Sequence, residues 1–318
     1  MTDMTGIVSQ ILNQIQHEHA AQIEEIIEKG SVNRVFRVKT EHGERILRLR
    51  EDPSACREYH KEEWCMRQAQ KAGIPSPVVL AIGELQGVGY MMETCVPGVN
   101  GHLLPKQSLP IWQKLGQYAR RFNQITVSGF GLEFRTEPEE TFFNNFTPTW
   151  DAHVSYNISS LGCEDPLVKL GVYRADQTGI ISSIFEELRC AIESGRLKIG
   201  LNHGDLSPRN LMVATDGTMG LIDWGCALAH VAPHYDLACL LKGCLFDGNP
   251  SAGSLEAFLS GYGIDSESFE DMKADIHHIM LLDAFDKLRW AMDRSMPDVE
   301  AFTKIARKVL ALNDVDSC

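Results

Sequence analysis

The sequence predicts an α+β protein: a small antiparallel sheet at the N-terminal end and a larger, mostly helical remainder. Three observations predict this. Short β-prone segments crowd the chain before Pro97, interrupted by one helical stretch. A Pro97-Gly98 step then breaks the pattern. Beyond it, apolar residues recur mainly at helical spacing, apart from a hairpin signal at Asp216-Gly217.

Each element has a local reason. Ile7, Val8, Ile11, Leu12 and Ile15 lie on one helical face and predict an amphipathic N-terminal helix. Strands follow near Ile23–Glu28 and Val35–Lys39. Glu41 to Glu44 makes a turn around Gly43, and Arg45–Arg50 forms a third strand. A helix runs from about Cys56 to Ala72, where Gly73, Pro75 and Pro77 stop it. Val78–Ile82 and Gly89–Glu93 read as further strands, and Val96 to Gly101 as a linker. Helices are then expected at Leu109–Ile125, Trp150–Ser160, Ile180–Ser194, His234–Leu245, Leu255–Tyr262 and Ser268–Arg294. No repeat or low-complexity segment is evident.

Composition narrows the function. Of 318 residues, 44% are hydrophobic and 23% charged, ordinary for a globular protein of one or two domains. No apolar run approaches the 18 or so residues of a membrane span, and the N-terminus lacks the pattern of a signal peptide. Nine scattered cysteines without a CxxC pair fit reduced thiols in a cytoplasm. Net charge is −13: 11 basic against 14 acidic residues before Gly98, and 19 against 29 from there on. Nucleic acid is therefore not an expected partner, and a cationic small molecule is mildly favoured.

The segment Asn202 to Trp224, NHGDLSPRNLMVATDGTMGLIDW, carries the chemistry. It places Asp205 five residues before Asn210, with Asp223 after a hairpin. Pro208 keeps the Asp205–Asn210 stretch out of regular helix. Leu211–Val213 and Met219–Ile222 read as paired strands around Asp216-Gly217, which returns Asp223 beside Asn210. One carboxylate (Asp205) is then available to take the proton of an attacking hydroxyl. An amide and a second carboxylate (Asn210, Asp223) are available to hold Mg²⁺ against a nucleotide triphosphate.

These residues resemble the catalytic and metal-binding segments of the aminoglycoside phosphotransferase and choline kinase group, with HGD and IDW where protein kinases show HRD and DFG. The resemblance spans roughly Glu24 to Leu310 and implies a bilobal protein-kinase-like fold. Residues 1–97 would form an N-terminal nucleotide-binding lobe with a leading helix, and residues 98–318 the C-terminal catalytic and acceptor-binding lobe. It implies a Mg²⁺-dependent kinase using ATP or GTP, with Asp205 as catalytic base and Asn210 and Asp223 as metal ligands.

The same resemblance assigns the nucleotide contacts. Lys29 to Arg34 would be the phosphate-covering loop, although it has one Gly rather than GxGxxG, and Ser31 and Asn33 would face the phosphates. Arg48 stands where kinases carry Lys and would grip phosphate as a planar fork. Its acidic partner would be Glu62, from the KE-W pattern, or else Glu63. Met92 would sit behind the adenine, and the backbone of Glu93 and Cys95 would bond its edge. His203 and Asp236, the latter in YDLA, are expected to be structural.

Acceptor selectivity is expected from the helical part. Asp283, Asp286, Trp290 and Asp293 share one helix face and would suit an amine-bearing acceptor. The alternative is a solvated face with an internal pair such as Asp283 with Lys287. Trp150, Asp151 and Phe142 to Asn145 would line the same region. The expected substrate is aminoglycoside-like. The alternatives are choline, homoserine or a sugar, and, from another class, a nucleotide-binding pseudokinase scaffold.

Overall fold

The computed structural model describes residues 4–17, 19–27, 33–136 and 148–313. Of the expected phosphate loop, Lys29 to Val32, Ser31 among them, lie outside the described residues, as does the Phe142 to Asn145 segment. In chain order the elements are α1 (Met4–Gln16), β1 (Gln22–Ile26), β2 (Arg34–Thr40), β3 (Gly43–Arg50), α2 (Ala55–Lys71), β4 (Val79–Leu85), β5 (Val88–Thr94) and β6 (Val99–Asn100). There follow α3 (Ser108–Phe122), β7 (Val127–Ser128), β8 (Arg135–Thr136), α4 (Trp150–Ser159), α5 (Pro166–Lys169), α6 (Thr178–Glu193) and β9 (Ile199–Asn202). The last are β10 (Leu211–Val213), β11 (Met219–Leu221), β12 (Leu228–Val231), α7 (His234–Asp247), α8 (Ala252–Tyr262), α9 (Ser266–Asp293) and α10 (Val299–Leu310). The chain is α+β, as its sequence predicts.

Contacts divide the chain into two compact units. The first takes the described residues up to Ile111 together with Ser207–Ala227. Its frame is a five-stranded antiparallel sheet in the order β1-β2-β3-β5-β4. Side chains alternate across such a sheet, so each face has its own role. Met4, Ile7, Val8, Ile11 and Leu12 of α1 pack with Phe36, Val38, Leu47, Leu49, Val88 and Met92 into a buried apolar cluster. The residues of opposite phase, including Arg48, Met91 and Glu93, lie on the other face.

The Val96 to Gly101 segment is more than a linker. Val99 and Asn100 pair with Val213 and Met212, adding β6 to the β10–β11 hairpin as a three-stranded sheet. Gly98 makes this possible. It has φ +126, and a Cβ there would lie 2.3 Å from the Val213 carbonyl oxygen. Only glycine allows that approach.

The second unit, which contains the remaining described residues, is built from helices α3 to α10. The strands β9 and β12 pair antiparallel within it. Arg289 of α9 is buried and donates to Asp165 (2.6 Å) and Asn157 (2.8 Å), which fastens α4 and the turn before α5 to the long helix.

Candidate active site

In the first unit the hairpin is built as its sequence predicts. Leu211 pairs with Leu221 and Val213 with Met219. Gly217 takes φ +84 in the turn, and Asp216 accepts from the Thr218 N–H at 2.8 Å. The Ile222 N–H donates to the Asn210 carbonyl at 2.9 Å, so Asn210 and Asp223 leave the two strands side by side. Pro208 opens a single 3₁₀ turn, Pro208–Asn210, rather than an α-helix. Asn210 is buried, whereas Asp223 is exposed and takes the left-handed conformation, φ 60 and ψ 71. That conformation is uncommon for a residue with a Cβ, though less so for Asp.

Arg48 of β3 is buried and pairs with Glu62 of α2, which is also buried. Its Nη2 is 3.6 Å from an Asp223 carboxylate oxygen. Burial opposes the charge on Arg48, but the carboxylates of Glu62, Glu93 and Asp223 outweigh it and hold the guanidinium above its ordinary range. Glu63, one residue on, turns instead toward His60 (3.5 Å) and Arg67 (3.9 Å) on its own helix. Asn33 accepts from the Tyr59 hydroxyl at 3.0 Å.

Met92 is fully buried in the cluster under α1, on the face opposite Arg48, so its side chain does not lie on the Arg48 face. Met91, directly across from Arg48, and Glu93 occupy that face. Met91 and Met92 are adjacent, and the pairing of β5 with β3 sets which face of the sheet each one meets. Glu93 is buried, its Oε2 has no hydrogen-bond partner, and burial raises its carboxyl to about 7 despite the pull of Arg48. Cys95 lies just past the strand, where the Thr94 N–H is already taken by the Val78 carbonyl at 2.9 Å.

The Arg48 guanidinium thus feels three carboxyl groups, those of Glu62, Glu93 and Asp223. Among the described residues no three His, Cys, Asp or Glu side chains form a closed metal cage.

In the second unit Asp205 is exposed at the end of a tightly held segment. Asp236, buried at the start of α7, accepts from the backbone N–H of His203 (3.2 Å) and Gly204 (3.1 Å). Burial raises its carboxyl to about 7, while those two bonds pull it down and Asp205 pushes it up. His203 is fully buried, and its Nδ1 lies 3.4 Å from the Asp205 N–H. Both residues therefore brace the backbone.

The α9 stripe is only partly as expected. Asp283 lies 3.3 Å from His230, and Asp286 lies 3.8 Å from His153 while accepting from Asn157 at 3.2 Å. Lys287 sits over Phe302 rather than pairing with Asp283. Burial disfavours the Asp283 carboxylate, yet attraction to His230 prevails and holds its pKa below the usual range. Burial also holds His153 below its ordinary range, against the pull of Asp286 and Asp283. Phe130 packs against both imidazoles, with ring centroids 4.5 and 4.8 Å away, and Trp150 lies 5.6 Å from His230. The indole beside these imidazoles is Trp150. Trp290 is half-exposed with the Arg294 guanidinium 4.8 Å from its ring centre, and Asp293 is exposed near the helix end. His153 and His230 were missed because segments distant in sequence bring them to α9.

Comparison with known proteins gives a consistent result. The profile of the family described as "Phosphotransferase enzyme family" matches residues 24–273. A Staphylococcus aureus protein named "Probable ketoamine kinase" is 25% identical over 213 residues, 66% of this chain and 71% of that protein. Among solved structures, a thermostable variant of aminoglycoside phosphotransferase APH(4)-Ia, in ternary complex with ADP and hygromycin B, matches with a TM-score of 0.62 at 17% identity. The match covers 96% of this chain and 98% of that one. A Haemophilus somnus protein titled "Putative fructosamine-3-kinase" matches with a TM-score of 0.58 at 15% identity, over 95% and 96% of the two chains. At such identities the structures share the fold.

Proposed function

This chain belongs to the phosphotransferase enzyme family and phosphorylates a hydroxyl group, and from that premise we propose that its acceptor is an amine-bearing, carbohydrate-like small molecule of the aminoglycoside type. The observation that supports the reaction chemistry is the grouping of Asn210, Asp223 and the Arg48–Glu62 pair in one unit. Phosphoryl transfer asks mainly for positioning and charge neutralisation. Arg48 grips the phosphates as a fork, with Glu62 aiming it. Asn210 and Asp223 hold Mg²⁺, which when bound neutralises phosphate charge. Asn33 faces the phosphates, and the backbone of Glu93 and Cys95 bonds the base of ATP or GTP. Met91 takes the place first expected of Met92 on the nucleotide face. Asp205 orients the acceptor hydroxyl and takes its proton late in the transfer, when little base strength is needed.

The acceptor reading rests on Asp283 and Asp286, two partly exposed carboxylates beside His230 and His153, imidazoles that in turn pack against Phe130 and Trp150. Carboxylates attract ammonium groups, and aromatic faces suit the apolar faces of sugar rings. A ketoamine, a sugar bearing a substituted amine, is the second reading, favoured by the Staphylococcus aureus relative. Choline, homoserine and plain sugars remain the comparison set.

The test is a mass-shift screen of the purified protein with ATP and Mg²⁺ against aminoglycosides, ketoamines, choline and sugar alcohols. The expected product is a phosphorylated amine-bearing acceptor. Asp283→Asn with Asp286→Asn should raise the KM of that acceptor well before nucleotide affinity changes, and more strongly at low salt. An uncharged acceptor used equally well, or a double variant with normal KM, would overturn the acceptor reading.

A further inference from the structure

Lys61 has no part in the account above, yet it is one of the most buried charged residues in the chain, 2% exposed. Its Nζ donates to the carbonyls of Gly225 (3.3 Å) and Ala227 (3.0 Å). Those carbonyls flank the end of the 3₁₀ turn Trp224–Cys226, which begins one residue after Asp223. The next residue on α2, Glu62, holds Arg48, and Arg48 reaches Asp223. A Cβ built on Gly225 would lie 3.4 Å from Asp223 Oδ1 and 3.5 Å from Glu62 Oε1, so the turn passes directly over this group of charges.

We propose that Lys61 is a positioning residue: its ammonium fastens the turn that follows Asp223 to α2 and thereby aims the Asp223 carboxylate at the metal. Two features require such a fastening. Asp223 sits in the left-handed region, where its backbone gains nothing locally by staying. An ammonium deprived of water needs acceptors, and these two carbonyls are the ones it has found. Lysine suits the task because its three donors radiate from one point and can serve carbonyls two residues apart. The inference rests on the reading of Asp223 as a metal-holding residue.

The test uses the full chain with ADP, and Mn²⁺ as a probe whose free-ion EPR signal reports binding. ADP affinity is measured separately in EDTA. K61M preserves the length of the buried stem and removes the charge. It should weaken Mn²⁺ binding to the ADP complex about tenfold, the usual effect of losing a residue that orients a ligand, while ADP affinity in EDTA stays unchanged. K61R keeps the charge, but its planar fork does not aim as an ammonium does. It should shift Mn²⁺ affinity in the same direction by a smaller factor, and it serves as the test should K61M not fold. In a D223N background K61M should add no further loss. The proposal is overturned if folded K61M, or K61R in its place, binds Mn²⁺ as the wild type does. It is also overturned if the K61M loss persists undiminished in D223N. If D223N alone leaves Mn²⁺ affinity unchanged, the metal assignment of Asp223 fails first and the role of Lys61 fails with it.

Discussion

Arg48 and Glu62 form an ion pair that is buried on both sides and joins the central strand of the sheet to α2. Breaking a buried pair costs more than the pair contributes, because one charge is left stranded. Glu62→Gln should therefore lower stability by about 3 kcal/mol. It should also raise the KM for nucleotide, since Arg48 would turn toward Asp223. Urea unfolding and a nucleotide titration check both. Glu63→Gln, on the solvent side of α2, should change neither by much.

Asp223→Asn keeps the side-chain shape, and Asn tolerates the left-handed conformation, so the fold should survive. What is lost is an ionised oxygen. The Mg²⁺ concentration for half-maximal activity should rise at least about tenfold, whereas Asn210→Ala should have a smaller effect. Titrating Mg²⁺ against activity measures this. An unchanged midpoint in Asp223→Asn would place the metal elsewhere.

Asp236 accepts two consecutive backbone N–H groups, those of His203 and Gly204, one on each carboxylate oxygen. In Asp236→Asn one oxygen becomes an NH₂ group, and one buried N–H loses its acceptor. The expected cost is about 1–3 kcal/mol in stability. A fall in kcat that exceeds any change in nucleotide KM should accompany it, because Asp205 follows directly in the chain. Thermal unfolding and steady-state kinetics on the same preparation separate the two effects.

His234 supplies a pH dependence. Burial, with Arg196 and His230 adding to it and Asp275 opposing, lowers its pKa from 6.5 to about 4. Its Nδ1 has no hydrogen-bond partner. Below pH 6.5 the unfolded chain binds a proton that the folded chain refuses. This contribution to stability is therefore full above pH 6.5 and is lost as pH falls toward 4. The loss amounts to about 3 kcal/mol over that window. Denaturant unfolding of the wild type at pH 7 and pH 4.5, compared with His234→Asn, should show a shallower acid loss in the variant.

What was legible in the sequence was local. The β10–β11 hairpin and the apolar face of α1 follow from spacing within one or two elements, whereas Glu62 rather than Glu63 came from the resemblance to the family's KE-W pattern. The phase of β5 was not legible, because Met91 and Met92 differ only in which face of the sheet each meets, and pairing with β3 decides that. Val99–Asn100 and the pairing of β9 with β12 escaped because a strand of two to four residues carries almost no periodic signal. The imidazoles beside Asp283 and Asp286 come from positions 230 and 153, and no spacing rule links them to α9. By contrast, α10 was readable: Ala306, Val309 and Leu310 mark its buried side, and the expectation simply ended at Arg294.

The central claim is that Asp205 acts on the acceptor and not on the nucleotide. The most direct measurement pairs ADP binding by calorimetry with single-turnover transfer from ATP, in wild type and Asp205→Asn, using whichever acceptor the screen identifies. The account predicts ADP affinity within about twofold of wild type and transfer slowed on the order of 10²-fold or more. Transfer at the wild-type rate in Asp205→Asn, or loss of ADP binding in step with loss of transfer, would contradict it.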